Sequence, residues 1–358
     1  MRDTLVSAVQ ANCHRADARH ASDLTLCTYL LQMREYFRWE SGLPLTASLP
    51  RADVGAWIAA RESLWDRLVD EPYARLPLDG EAMDPFEADA LNQRLHTEGW
   101  LYGAGRLGGH DRGRPVFFLA ERHAEGRRDG VAVLQAGREL ARGLFAPPAV
   151  LAGGGAGPIV IRREALARWC WQGYEAWTMR RREGSTWHAV VQAYGLDDGF
   201  ERALPRWLDD LVEVSVLHEL GEYQVGQRLG ARWPALRAAL PDRRSDLHAV
   251  ALRDLLADLQ RTLPDLLARA EAAPLHAWFA SFDGVRAALF PRLVAAHAAW
   301  RAGAGLAPLR EAVATGRAHF EALATQVLAL HDDQDPGSAA AAASLLTHAS
   351  AACGRVSP

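Results

Sequence analysis

Apolar positions recur at helical spacing along most of the chain. The clearest stretch, Trp207 to Leu229, reads WLDDLVEVSVLHELGEYQVGQRL. At about 100° per residue, Trp207, Leu211, Val214, Val225 and Leu229 form one apolar stripe. His218 and Glu222 fall inside that stripe, and Glu219 falls at its edge. Upstream, Leu5, Val6, Val9 and Cys13 predict a short helix over 3–15. A second helix, over 23–40, is expected to bury Leu26, Tyr29, Leu30, Met33 and Phe37. Ser22 is its expected N-cap, and Gly42 and Pro44 stop it. Glu40 projects onto its apolar face and Glu35 away from it. A third amphipathic helix spans 52–69. Residues 71–86 read as loop, and 85–98 as a short helix opened by Pro85.

The period then changes. Residues 100–107, 115–120, 131–134 and 158–161 are short, Gly-bounded and partly β-branched, which predicts a small antiparallel sheet. A hairpin turn at 108–113 joins the first two strands, and 135–144 reads as a helix. From 162 the helical period returns, over 162–183, 187–194, 207–229, 233–240, 245–263, 275–282, 284–300 and 309–330. The expected fold is therefore mainly α: one multi-helix domain over residues 1–333, with a small antiparallel β insertion at about residues 100–161. Residues 334–358 are expected to be a flexible tail, helical at most over 340–351.

Composition narrows the function classes. Among 358 residues, 49% are apolar, enough for a sizeable core. A formal net charge of −4 gives no electrostatic footprint for nucleic acid. The four cysteines lack CxxC spacing, which points to neither a zinc knuckle nor a disulfide framework. No apolar run is long enough to cross a membrane, and the start lacks a signal peptide's apolar centre. A reduced, cytoplasmic compartment is the expectation. Oligomeric state is left open.

The candidate chemistry lies in His218-Glu219-Leu220-Gly221-Glu222. This run differs from the zincin HExxH only at the second His. A carboxylate on a core face must be paired, protonated or metal-bound. His218 and Glu222, one turn apart, are placed to share a cation, with Glu219 as acid/base, ligand or outer partner. Gly221 costs roughly 1 kcal/mol in a helix interior, which suggests close approach by another helix or a ligand. The structural alternative is a buried His–Glu hydrogen bond. Asp254 and Asp258, also one turn apart, are further candidate ligands, or a solvated pair held by Arg253 and Arg261. Glu40 is another candidate ligand, with pairing to Arg38 or Arg51 as the alternative. His14, His20 and Asp23 could also approach a site. His297 and His331 read as hydrogen-bonded core histidines. The string Gly103-Ala104-Gly105-Arg106-Leu107-Gly108 matches GxGxxG but leads into a strand, so it reads as a hairpin and not a dinucleotide site.

The segments Asn12-Cys13, CTYLLQMREYFRWE (27–40), RPVFFLAER (114–122), HELGE (218–222) and RDLLAD (253–258) together resemble an uncharacterised bacterial family, a domain of unknown function. The resemblance runs to about residue 330 and implies a bacterial cytosolic protein without supplying an activity. The residues themselves point to a metal-dependent enzyme with a divalent ion held by His and carboxylates between helices. The oxygen-rich set favours iron or manganese, and oxidative chemistry on a small-molecule substrate. Zinc-dependent hydrolysis and a non-enzymatic helical interaction protein are the alternatives.

Overall fold

The computed structural model describes residues 2–107, 113–145, 147–155, 157–332 and 335–348. The chain divides into two compact units. The first comprises residues 1–127, 132–150 and 160–172, and the second comprises 128–131, 151–159 and 173–358. The sequence pattern had suggested a single domain carrying a β insertion.

The first unit opens with α1 (Arg2–His20), α2 (Leu26–Glu40) and α3 (Arg51–Leu68). Thr25, not Ser22, caps α2, its side chain accepting from the Thr28 N–H. The buried face of α2 also differs from the expected one. Met33, Glu35, Tyr36 and Arg38 are buried, while Leu26 is 70% exposed and Leu30 47%. Of the expected face, Met33 is buried and Tyr29 and Phe37 are part-buried, but Leu26 and Leu30 face out, because the inward face turns toward the Glu35–Arg38 ion pair. The expected loop at 71–86 contains a hairpin, β1 (Leu76–Leu78) and β2 (Glu81–Met83). Its turn is Asp79-Gly80, with both residues at positive φ, the signature of a two-residue hairpin turn.

After α4 (Ala88–Leu95) come β3 (Trp100–Leu107), β4 (Arg114–Arg128), β5 (Val131–Arg142) and β6 (Ala149–Leu151), then the single turn α5 (Ala152–Gly155) and β7 (Ile159–Arg162). The sheet order is β3-β4-β5-β7-β6, with β3 and β4 antiparallel. The protein is mainly α, but this β part is larger than a small insertion. Residues 135–144, expected to be helical, lie mostly in β5, reached through a second Asp-Gly turn at Asp129-Gly130. Most of the 108–113 turn lies outside the described residues. Gly103 of the GxGxxG string pairs with Phe118, and a Cβ there would fall 1.9 Å from the Phe118 ring. That glycine serves strand packing. Buried side chains between α1 and the sheet, among them Leu5, Val9, Tyr102, Phe117 and Leu119, form this unit's main core.

The helix α6 (Arg163–Arg180) leads on to α7 (Thr186–Tyr194) and α8 (Phe200–Leu229). The last begins a full two turns before the expected Trp207, and Pro205 is accommodated near its start. There follow α9 (Arg232–Ala239), α10 (Arg243–Ala257), a π-helical turn at Asp258–Thr262 and α11 (Leu263–Arg269). Pro264, at the start of α11, cannot donate to the preceding turn, which accounts for the widened ladder before it. The unit closes with α12 (Ala272–Ser281), α13 (Gly284–Leu289), α14 (Pro291–Ala299), α15 (Ala307–Leu330) and α16 (Pro336–His348). Much of the expected tail is thus the helix α16, and it buries Ala342 and Leu346 in the second unit's core. Residues 349–358 lie outside the described residues. No helix among those described is long and apolar enough to cross a membrane.

Candidate metal centre

The site is built where α8 and α10 touch. A Cβ on Gly221 would stand 2.6 Å from the backbone oxygen of Ala257 and 2.9 Å from its Cα. Only glycine allows the two backbones so close, as its cost in a helix interior had implied. Gly221 lies between His218 and Glu222 on α8, and Ala257 lies beside Asp258 and one turn after Asp254. Closest approach therefore brings all four polar side chains together.

His218, Glu222 and Asp254 each place one donor atom within 4.8 Å of the others. His218 Nε2 and Glu222 Oε1 are 3.8 Å apart. Two donors each about 2.1 Å from one ion sit roughly 3–3.5 Å apart. The three donors form a group that could hold a divalent cation.

Asp258 has a different place. It is fully buried, and its Oδ1 lies 2.8 Å from His218 Nδ1. It also accepts from Trp278 Nε1 at 3.2 Å and from Arg286 Nη1 at 3.1 Å. Asp258 thus fixes the His218 ring with Nε2 directed to the Glu222 side, the familiar role of a carboxylate behind a ligating histidine. Burial opposes charge on His218, but Asp258, by charge and hydrogen bond, and then Glu219 and Asp254 outweigh it and raise the imidazole to about 9. Burial would also raise Asp258, yet His218, Arg286 and Trp278 hold it below the usual carboxylate range. Burial pushes Asp254 up, against the pull of His218 and Arg286.

Glu219 is buried, 7% exposed, and acts on His218 through its charge. Glu222 Oε2 accepts from Arg253 Nη2. Arg253 therefore serves Glu222, and Arg261 pairs with Asp129 and Asp265. Glu40 belongs to the first unit, where Arg61 binds both its oxygens and Trp57 Nε1 donates to it. It is not part of the His218 group. His20 pairs with Asp23 near the surface, while His14 is buried against Arg61 in the first unit. His297 is a core histidine bonded to His276 at 3.1 Å, and His331 is also buried. Arg286 and Trp278, which hold Asp258, were not singled out in the sequence. They come from short helices whose facing no period fixes.

Two family models match the chain, an N-terminal domain over residues 4–162 and a C-terminal domain over 167–349. The chain belongs to DUF6866, a family of unknown function. No curated protein and no solved structure matches it. The boundary between the two DUF6866 models falls at the start of α6, close to where the chain passes from one compact unit to the other. His218, Glu222 and Asp254 all lie within the C-terminal DUF6866 match.

Proposed function

We propose that this DUF6866 chain is a metal-dependent enzyme whose divalent ion is held by His218 Nε2, Glu222 and Asp254. The observation that carries the reading is the convergence of those three donors within 4.8 Å. One imidazole and two carboxylates suit iron or manganese, and oxidative chemistry on a small-molecule substrate is what such an ion supplies. Around it, Asp258 orients His218 and Arg253 orients Glu222. Glu219 is the buried carboxylate beside the ligands that can hold or accept a proton. With zinc, the same residues would serve hydrolysis, Glu219 taking a proton from water.

A second reading has its own support. Arg253 lies on Glu222 and Arg286 on Asp258, so these acids have cationic partners without a metal. On that reading the cluster fixes helix packing in a non-enzymatic interaction protein.

Titration calorimetry with Mn²⁺, Fe²⁺ and Zn²⁺ separates the two. The enzyme reading expects saturable binding that falls at least about tenfold in Glu222→Gln and in Asp254→Asn. Glu40→Gln should bind as the wild type does. Unchanged binding in Glu222→Gln and Asp254→Asn, or no binding at all, would favour the structural cluster.

A further inference from the structure

The helix contact at Gly221 leaves α8 and α10 little freedom to move against each other. A Cβ there would already meet the Ala257 backbone. The backbones that carry His218 and Glu222 on one side and Asp254 on the other are therefore held at a fixed spacing. A site of fixed spacing tells one cation from another chiefly by the number of donor atoms it offers, because ions differ in how many ligands they take. Carboxylates are where that number can change, since each gives one oxygen or two.

At Glu222 the two oxygens have different neighbours. Oε1 stands 3.8 Å from His218 Nε2. Oε2 is taken by Arg253, whose Nη2 donates to it. Arg253 lies on α10 one residue before Asp254, so the helix that supplies one donor to the group also masks another. The Arg253 side chain is 31% exposed and that of Glu222 only 13%, which puts the guanidinium on the solvent side of the carboxylate. Among the described residues Arg253 Nε is buried without a hydrogen-bond partner. The guanidinium thus engages Glu222 through Nη2, not as the two-point fork that Arg and carboxylate often make. A one-point contact occupies one oxygen and leaves the other to the group. Arg286 acts differently. It holds Asp258, behind the His218 ring, and so masks no oxygen of Glu222 or Asp254.

We propose that Arg253 sets the cation selectivity of the centre, by keeping Glu222 Oε2 so that Glu222 offers an ion one oxygen and not two. This rests on the metal-enzyme reading and deepens it. Removing the guanidinium takes away one positive charge, which favours every divalent ion alike. It also frees Oε2 as a further oxygen donor, which does not. Zn²⁺ is usually four-coordinate and has little use for another oxygen, whereas Mn²⁺ prefers a larger, oxygen-rich set. The ratio of the two affinities therefore reads the masking separately from the charge.

The test is calorimetric titration of the full chain with Mn²⁺ and with Zn²⁺, for the wild type, Arg253→Gln, Arg253→Met and Arg253→Lys, with melting curves to check that each is folded. Arg253→Gln and Arg253→Met, which both remove the guanidinium, should each gain Mn²⁺ affinity relative to Zn²⁺ by at least about tenfold, the scale on which partners of metal ligands act. Arg253→Lys keeps a charged donor for Oε2 and should keep the wild-type ratio. A wild type that binds neither ion would overturn the metal reading and this inference with it. A wild type that binds, beside Gln and Met variants that keep its Mn²⁺-to-Zn²⁺ ratio or lose both ions together, would overturn this inference alone, as would a Lys variant that shifts the ratio as far as they do.

Discussion

The two units bury charge in opposite ways. In the second, four carboxylates (Glu219, Glu222, Asp254 and Asp258) gather around His218, with Arg253 and Arg286 as the cations bonded to them. In the first, Arg142, Arg162 and Arg168 gather around Glu139. One cluster is rich in acid and the other in base. The scaffolds differ too. Two long helices pinned at Gly221 present the acids at helical spacing, whereas the guanidiniums come from two strands and the first turns of α6. A helix pair can be read from periodicity, and a cluster gathered from three elements cannot.

The largest expected effect tests the first unit. Glu139 is held at about 2, because Arg162, Arg168 and Arg142 overcome the burial that works against its charge. Glu139→Gln leaves three buried guanidiniums without their acid and should cost about 3–5 kcal/mol, read as a large fall in the urea midpoint. A loss under 1 kcal/mol would mean that the cluster is already balanced, and the contrast between the units would break.

Next is the helix contact of the second unit. Gly221→Ala forces the Ala257 backbone away and should cost about 1–3 kcal/mol, with loss of metal affinity. Gly226→Ala, on the same helix with nothing within 4 Å of the new methyl, should gain up to about 1 kcal/mol. Equal effects of the two substitutions would deny Gly221 its special place.

A smaller effect separates the units by pH. Burial, then Arg301, brings His276 down to about 4, and burial, then His276 and Arg301, brings His297 to about 3. Their folded values lie below 6.5, so the unfolded chain binds more protons in between. The stability they contribute is complete above about pH 6.5 and is lost as pH falls toward 4 and 3. Unfolding curves at pH 7 and 4.5 should show that loss reduced in the His276→Gln/His297→Gln double variant. In the first unit Asp17 runs the other way. Burial raises it to about 7 against the Leu144 N–H bond that lowers it, so its contribution is full below about pH 3.8 and is lost as pH rises through 7. Asp17→Asn should remove that loss of stability toward high pH.

Much of the second unit was legible in the sequence. The facing of His218 and Glu222, and the close approach implied by Gly221, follow from a long helix with a strong period. Asp254 and Asp258 share a face for the same reason, but their division of labour depends on the π-turn at Asp258 and on Trp278 and Arg286. The first unit was less legible. Glu35 is buried and Glu40 is 36% exposed, the reverse of the hydrophobic reading, because Arg34 and Arg38 hold Glu35 inside. The segment with Arg138 and Glu139 looked helical, since an ionic strand lacks the apolar alternation that marks most strands. Both Asp-Gly turns, at 79–80 and 129–130, were the local signals for strands there.

The most direct measurement is the metal content of the purified, untagged protein beside its His218→Ala variant, by elemental analysis before and after reconstitution. Near-stoichiometric iron, manganese or zinc in the wild type, absent from the variant, is the predicted result, and the element found would choose between oxidative and hydrolytic chemistry. Equal metal content in the two proteins, or none in either after reconstitution, would contradict the metal centre and leave the His218 cluster as a packing device.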